Sequence, residues 1–277
     1  MRLGAPTFVE TRDPDELARA HREQGYRAAY CPGWLTAADT AGVHAMREAF
    51  ARHDVIIAEV GAWGHVLHPD PEVACRNRER VVERLALADE IGARCCVDYT
   101  GTYGEGWYHP KNLSEEAFDA IVQLTQEIVD RVRPTRTVFA LEMMPSVHPE
   151  NADDYLRLLA AVDRPGRFGV HLDPVNLINS PVRFYDTGAV IRDCFAKLGP
   201  HIASCHGKDV CVRDGFIIHL DECRPGTGVL DYRTFLTELH RLPHEPPLML
   251  EHLPNREEYH TARDYVCGVA RELGIPV

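Results

Sequence analysis

Residues 167–180, RFGVHLDPVNLINS, contain a short apolar run that ends on a charged side chain. The run from Phe168 to Leu172 has the length and composition of a strand that is buried on both faces. Pro174 cannot donate a hydrogen bond to a β-ladder, so we expect the strand to stop beside Asp173. The stretch therefore predicts a buried strand with a carboxylate at its carboxyl end.

Apolar runs of this kind recur along the chain and alternate with helical patterns. The predicted strands cover residues 3–9, 26–31, 54–60, 94–100, 136–143, 167–173, 201–207 and 247–253. Between them, apolar residues recur at three- and four-residue spacing, which is typical of amphipathic helices. The predicted helices cover residues 14–24, 37–52, 71–91, 115–132, 152–162, 187–198, 231–241 and 256–273. Residues 209–230 form a long connection between the seventh strand and its helix.

Eight strand–helix units in about 250 residues predict an α/β protein with a single (β/α)8 TIM barrel. We expect one domain that spans residues 1–277, with an active site at the carboxyl ends of the strands. A doubly wound open sheet is the main alternative. No Gly-x-Gly-x-x-Gly follows the first strand, and GTYGEG at 101–106 departs from that fingerprint. The sequence therefore gives little support to a dinucleotide-binding fold.

Composition and charge limit the partners that the protein can have. Asp and Glu total 42 against 30 Lys and Arg, and the resulting net charge of -12 repels phosphate backbones and anionic lipids. No uncharged apolar run approaches the roughly 20 residues of a membrane span. The nine cysteines are odd in number and form no Cys-x-x-Cys pair, a pattern typical of reduced thiols. We predict a cytoplasmic protein that binds neither nucleic acid nor membrane.

Four consecutive predicted strands each end on a potential metal ligand. These residues are Glu142, Asp173, His206 and Glu251. Singly, each also fits a helix cap, a surface turn, a buried histidine or an ion pair, but neighbouring strand ends of a barrel bring all four together. Three carboxylates and one imidazole favour Mn²⁺, Mg²⁺ or Co²⁺, with Zn²⁺ as an alternative. We predict one divalent cation, with Mn²⁺ preferred.

The motifs HLDPVN (171–176), CHGKD (205–209) and RPGTGVLDY (224–232) resemble those of the xylose-isomerase-like TIM-barrel superfamily. The resemblance covers nearly the whole chain and is greatest to its sugar phosphate isomerase and epimerase branch, which includes the ketose 3-epimerases. It implies that the four strand-end residues hold one divalent cation. It further implies that Glu142 and Glu251 act on the substrate carbon, and that Arg224 reaches the sugar.

Asn176 departs from the pattern of that superfamily. Ketose epimerases and the related apurinic endonucleases often have a histidine three residues after the aspartate of the sixth strand. An asparagine can hydrogen-bond a substrate hydroxyl but is a poor ligand for a second metal. Together with the acidic net charge, Asn176 argues against a nuclease that uses a cluster of three zinc ions. His219 is interpreted as an outer or substrate-binding residue, with membership of such a cluster as the alternative.

Four further residues are candidates for the site, each with a structural alternative. Lys208 is two residues after His206, so its side chain points to the same face if the strand continues. It can stabilise an enolate or move a proton, and the structural alternative is a surface ion pair with Asp209. Arg224 can grip a hydroxyl or carboxylate, or form a salt bridge with Glu222. His65 and Trp107 follow the third and fourth strands and can contact a sugar, or else pack loops.

The predicted activity is isomerisation or epimerisation of a sugar by proton abstraction next to a carbonyl, through an enediolate. One of Glu142 and Glu251 removes the proton and the other returns one. A lyase or dehydratase that acts on a keto-sugar or keto-glycoside is the main alternative, with Lys208 or His219 as the acid. A non-catalytic sugar-binding barrel and an apurinic endonuclease are less favoured. We expect a small carbohydrate substrate and a homodimer or homotetramer.

Overall fold

A computed structural model describes residues 1–277. The strands are β1 (Leu3–Gly4), β2 (Ala28–Tyr30), β3 (Ile56–Gly61), β4 (Cys95–Asp98), β5 (Val138–Glu142), β6 (Phe168–Leu172), β7 (Ile202–Gly207), β8 (Asp209–Arg213), β9 (His219–Cys223) and β10 (Leu248–Leu250). All of them except β8 and β9 form a closed parallel barrel. Because β1 pairs with both β10 and β2, the ring has no open edge. The predicted (β/α)8 barrel is therefore confirmed, and the doubly wound alternative is wrong.

Helices connect the strands and surround the barrel. They are α1 (Pro14–Glu23), α2 (Thr40–Arg52), α3 (Pro71–Ile91), α4 (Glu115–Val132), α5 (Ala152–Val162), α6 (Pro181–Tyr185), α7 (Thr187–Leu198), α8 (Tyr232–Arg241) and α9 (Arg256–Glu272). The side chain of an Asp, Asn or Ser accepts a backbone N–H at the start of each one, as N-caps do. None of the helices is long and apolar enough to cross a membrane.

The connection 209–230 contains a β-hairpin that the sequence analysis did not predict. Strands β8 and β9 pair antiparallel, from Asp209 opposite Cys223 to Arg213 opposite His219. The turn between them includes Asp214 and Gly215, a dipeptide that favours tight hairpin turns. The hairpin stands beside the carboxyl end of β7 and so belongs to the face of the barrel that carries the strand-end residues.

Two irregularities in the barrel change which side chains face its interior. In β3 the register skips Ala58, since Ala29 pairs with Ile57 and Tyr30 with Glu59. In β7 the register skips Ala203, since Val170 pairs with Ile202 and His171 with Ser204. Such bulges re-aim the side chains that follow them. The consequence is that Glu59 and Ser204 meet inside the barrel, where the Ser204 hydroxyl donates a hydrogen bond to the Glu59 carboxylate.

Tyr155 of α5 fastens its helix to two strands of the barrel. Its hydroxyl accepts a hydrogen bond from the Leu141 N–H at 3.1 Å. The same hydroxyl lies 2.8 Å from the carbonyl oxygens of Leu141 and Gly169, and these two acceptors share its one proton. Because the side chain is fully buried, no water can replace these partners.

Replacing Tyr155 with Phe should therefore lower the free energy of unfolding by about 1–3 kcal/mol, because buried backbone groups lose their partner. Urea denaturation followed by circular dichroism measures the difference. Tyr185→Phe is the matched control, since Tyr185 is exposed on α6. Equal stability of the two variants would show that the hydroxyl does not hold α5 to the barrel.

Candidate active site

The four strand-end residues converge at the mouth of the barrel. One ligand atom from each of Glu142, Asp173, His206 and Glu251 lies within 4.8 Å of every other. His206 Nδ1 is 3.1 Å from Glu142 Oε1 and 2.8 Å from Glu251 Oε1. Glu142 and His206 belong to β5 and β7, while Asp173 and Glu251 directly follow β6 and β10. Parallel strands thus deliver all four side chains to one place.

Lys208 is buried in the same cluster. Its Nζ lies 2.8 Å from Asp173 Oδ2 and 2.6 Å from Glu251 Oε1, and Glu222 Oε2 of the hairpin is 3.5 Å away. The side chain is only 4% exposed. The alternative of a surface lysine paired with Asp209 is therefore wrong. The ammonium group balances part of the negative charge that the carboxylates bring into the barrel mouth.

Glu59 contacts His206 Nε2, on the side of the ring that faces away from the strand-end cluster. The sequence analysis did not predict this residue. Its Oε2 is 3.2 Å from His206 Nε2, and its Oε1 is 3.0 Å from His171 Nε2. All three side chains are buried. The two nitrogens of His206 therefore face carboxylates on opposite sides, with Nδ1 toward the strand-end cluster and Nε2 toward Glu59. A carboxylate in this position fixes the orientation of a ligand histidine.

Opposing charges hold the site ionised in spite of its burial. Burial alone would lower the pKa of His206, but the carboxylates of Glu59, Glu251 and Glu142 raise it well above its usual value. Burial would raise the pKa of Glu251, yet His206 and Lys208 bring it down to about 2. Burial also opposes ionisation of Glu142, but the charge and hydrogen bond of His206, together with the charge of His171, lower its pKa below the usual value. Both glutamates are therefore carboxylates at neutral pH.

Asp173 and Lys208 form the other half of this charge balance. Burial raises the pKa of Asp173, although the Lys208 ammonium opposes it. Burial would lower the pKa of Lys208, but Asp173 and Glu251 hold it above its usual value. Lys208 consequently remains a cation.

Asn176 orients Glu142 directly. Its Nδ2 donates to Glu142 Oε1 and to the Met143 carbonyl, both at 3.1 Å. Asn176 lies in a short 3-10 turn just after Asp173, which explains how a residue beyond the strand returns to the cluster. The Asn176 side chain thus restrains the Glu142 carboxylate. Its Oδ1 is the atom that remains to accept a hydrogen bond from a ligand.

A cavity of about 480 Å³, here named the first chamber, opens above the cluster. Glu142, Asn176, Lys208 and Glu251 line it on the side of the barrel. Trp107 and other aromatic side chains line it on the side of the loops, and Trp107 is 53% exposed. Ionised carboxylates, an ammonium group and aromatic faces suit a polar ligand with C–H faces, such as a sugar.

The donor set fits a divalent cation. Asp173 Oδ2 and Glu251 Oε1 are buried and face cations, with Lys208 Nζ at 2.8 Å and 2.6 Å and His206 Nδ1 at 2.8 Å from Glu251 Oε1. A divalent ion beside these oxygens would meet the same negative charge that attracts the two side-chain cations. Three carboxylates, and the imidazole nitrogen that His206 would offer after releasing its Nδ1 proton to the solvent, are ligands that Mn²⁺, Mg²⁺ and Zn²⁺ accept in proteins.

Comparison with known proteins places this barrel among its relatives. Residues 17–267 match the sequence family described as xylose isomerase-like TIM barrel. The chain belongs to that family. The predicted resemblance is thereby confirmed. Among curated proteins, none matches this sequence.

Three solved structures show how widely the family fold is shared. Endonuclease IV from Thermus thermophilus superimposes with a TM-score of 0.72 at 15% identity, covering 98% of this chain and 100% of that one. A xylose isomerase-like TIM barrel protein from Mycobacterium smegmatis, in complex with magnesium, gives 0.69 at 17% identity and covers 98% and 97%. D-psicose 3-epimerase from Clostridium cellulolyticum, with D-tagatose, gives 0.66 at 12% identity and covers 97% and 99%. These low identities show the common fold alone.

Three predicted site residues of this xylose isomerase-like barrel lie away from the first chamber. His219 is exposed at the start of β9, near the tip of the hairpin. The Arg224 Nε donates to Glu258 of α9 at 2.8 Å, so it pairs with neither Glu222 nor the cluster. His65 packs within the loops, where its Nε2 lies 2.8 Å from the Thr102 N–H. A substrate contact from any of the three stays a prediction.

Asp209 ties the loop after the hairpin to the barrel. Its carboxylate accepts backbone hydrogen bonds from Val210 (2.8 Å), Gly226 (2.9 Å), Gly228 (3.0 Å) and Leu230 (2.8 Å). A Cβ at Gly228 would stand 2.3 Å from Asp209 Oδ1, so only glycine permits this approach. The turn in RPGTGVLDY is therefore built around a buried carboxylate.

Replacing Asp209 with Asn removes the charge and puts an N–H₂ group against backbone donors. We expect the free energy of unfolding to fall by about 1.5–3 kcal/mol. Limited proteolysis should also cut residues 209–230 faster. Asp214→Asn, at the exposed hairpin turn, is the control. Unchanged proteolysis and stability in the Asp209 variant would contradict the role assigned to this carboxylate.

Proposed function

We propose that the protein is a divalent-metal-dependent sugar isomerase or epimerase that transfers a proton at a carbon next to a carbonyl. The observation that carries the proposal is the pair of ionised glutamates, Glu142 and Glu251, on either side of His206 Nδ1 in one chamber. D-psicose 3-epimerase with D-tagatose, which shares the fold, supports a carbohydrate as the substrate class. The aromatic wall of the first chamber supports the same class.

Glu142, Asp173, His206 and Glu251 would hold the metal, with Mn²⁺ preferred and Mg²⁺, Co²⁺ or Zn²⁺ as alternatives. The relative in complex with magnesium supports a divalent ion in this fold. When bound, such an ion supplies Lewis-acid polarisation of a carbonyl oxygen and the neighbouring hydroxyl.

The side chains of the cluster account for the proton movements. One of Glu142 and Glu251 takes the proton from the substrate carbon, since both are ionised and both line the first chamber. The other carboxylate first receives a proton from solvent and then gives it to the opposite face for epimerisation, or to the adjacent carbon for isomerisation, while the base releases its proton to solvent. Asn176 keeps the Glu142 carboxylate in place. Lys208 offers an N–H donor to the substrate oxygen that gains negative charge in the enediolate.

A lyase that begins with the same proton abstraction is the second candidate. Lys208 favours it, because an ammonium group that lines the chamber can protonate a leaving group. His219 lies outside the chamber and does not supply that acid in this arrangement. Solvent deuterium incorporation without loss of water or aglycone distinguishes an isomerase from a lyase.

Replacing Glu142 with Gln should reduce turnover by about 10²–10⁴-fold, because general acid–base catalysis contributes a factor of that size. The Mn²⁺-loaded protein is incubated in deuterium oxide with ketoses, aldoses and 3-keto-glycosides, and exchange at each carbon is followed by NMR. Glu116→Gln on α4 is the control, since Glu116 is paired only with exposed Lys111. Absence of metal binding and of exchange in the wild type would refute the proposed function. Full activity of the Glu142 variant would refute its role.

Glu59 is proposed as a positioning residue for His206. Glu59→Gln keeps the size of the side chain but removes the charge that faces His206 Nε2, so we expect Mn²⁺ affinity to fall by about 10–100-fold. Calorimetric titration measures the affinity, and nitrogen NMR of His206 reports its tautomer. Glu48→Gln, exposed on α2, is the control. An affinity within twofold of the wild type, with an unchanged tautomer, would exclude this role.

A further inference from the structure

A second cavity of about 680 Å³, here named the second chamber, opens beside the first. It lies over the ends of β2 and β3, with Tyr30 and Gly61 on the barrel side and Arg80 and Arg84 of α3 at the wall. Trp63, Glu251 and His252 line both chambers. The two chambers therefore meet at a proton-transfer residue, and nothing in the proposed mechanism uses the second one.

The local backbone is built to hold Trp63 between the chambers. Trp63 adopts a φ of 47°, in the left-handed region that a tryptophan rarely enters. A Cβ at Gly61 would lie 2.2 Å from Trp63 Nε1, so the indole fits only because residue 61 is glycine. The ring remains 40% exposed and thus is not there to fill the core. Strained backbone of this kind concentrates at binding sites.

The lining of the second chamber suits a neutral, hydroxyl-rich group. Thr36, Arg80 and Glu83 line it and are exposed, so they can exchange hydrogen bonds with water for bonds to a ligand. On the same helix Arg76 and Arg78 have acidic neighbours at 4.0 Å, whereas Arg80 has no ion-pair partner. A guanidinium and a carboxylate together provide the donors and acceptors that vicinal hydroxyls require.

The same lining disfavours an anionic ligand. Glu59, Glu83 and Glu251 bring negative charge to the chamber. Arg84, the second guanidinium, already donates to the carbonyls of Gly61 at 3.1 Å and Leu35 at 3.0 Å. With three carboxylates against two guanidinium groups and His252, the lining offers a phosphate or carboxylate group no excess of positive charge.

We propose that the second chamber is a subsite for the second unit of a two-unit carbohydrate, whose reacting unit lies in the first chamber. Trp63 is the surface on which the link between the units rests. The inference rests on the proposed function in one respect, because that function places the reacting unit over Glu142 and Glu251.

Binding and exchange are measured separately with sugars that differ by one unit. The probes are fructose and three glucosyl-fructoses that keep a free keto group: turanose, leucrose and isomaltulose. Calorimetry on the Mn²⁺-loaded protein gives the affinities, and NMR in deuterium oxide gives the exchange rates. Arg80→Ala and Thr36→Val alter the second chamber alone, and Arg76→Ala on the same helix, outside it, is the matched control.

At least one disaccharide should bind tenfold or more tightly than fructose. Arg80→Ala should remove most of that gain, Thr36→Val should reduce it several-fold, and fructose binding should change less than twofold. Disaccharides that bind no better than fructose, or variants that weaken fructose and disaccharide equally, would overturn the proposal. Tight disaccharide binding without exchange at any carbon would instead refute the proposed function and leave the subsite standing.

Discussion

Several buried carboxylates lie close together at the barrel mouth, and this crowding of negative charge is the constraint on which the site depends. Such charges repel one another strongly unless cations lie between them. His206 and Lys208 occupy those positions, the first between Glu59, Glu142 and Glu251, and the second between Asp173 and Glu251. The two cations therefore keep Glu142 and Glu251 ionised, although burial opposes the ionisation of both.

The strand-end residues could be predicted from the sequence because a parallel barrel converts order along the chain into proximity. Each of Glu142, Asp173, His206 and Glu251 ends a short apolar run, and closure of the ring brings neighbouring ends together. The barrel itself was predictable for the same reason, since buried parallel strands and amphipathic helices alternate in the sequence. These features depend on local pattern and on topology alone.

Glu59 could not be predicted in this way, because its inward orientation comes from the bulge at Ala58 and not from the period of two. Arg224 has the right chemistry for a sugar ligand, but its partner Glu258 comes from a helix much later in the chain. Distances between such segments depend on packing that no short motif records. The hairpin of β8 and β9 does have a sequence signal, because the Asp-Gly pair at 214–215 favours a hairpin turn.

The bulges in β3 and β7 each add one residue to their strand without changing which residues are paired on either side of it. Because Ala58 is that extra residue in β3, deleting it would leave Ile57 opposite Ala29 and Glu59 opposite Tyr30, so β3 would regain strict alternation and Glu59 would stay in the interior. The interior position of Glu59 thus depends on its pairing with Tyr30 of β2 and not on the number of residues that precede it in β3. A relative that lacks this extra residue would align with the chain only if a one-residue gap were placed at Ala58. Without that gap, Glu59 and the residues after it would be matched to the wrong positions.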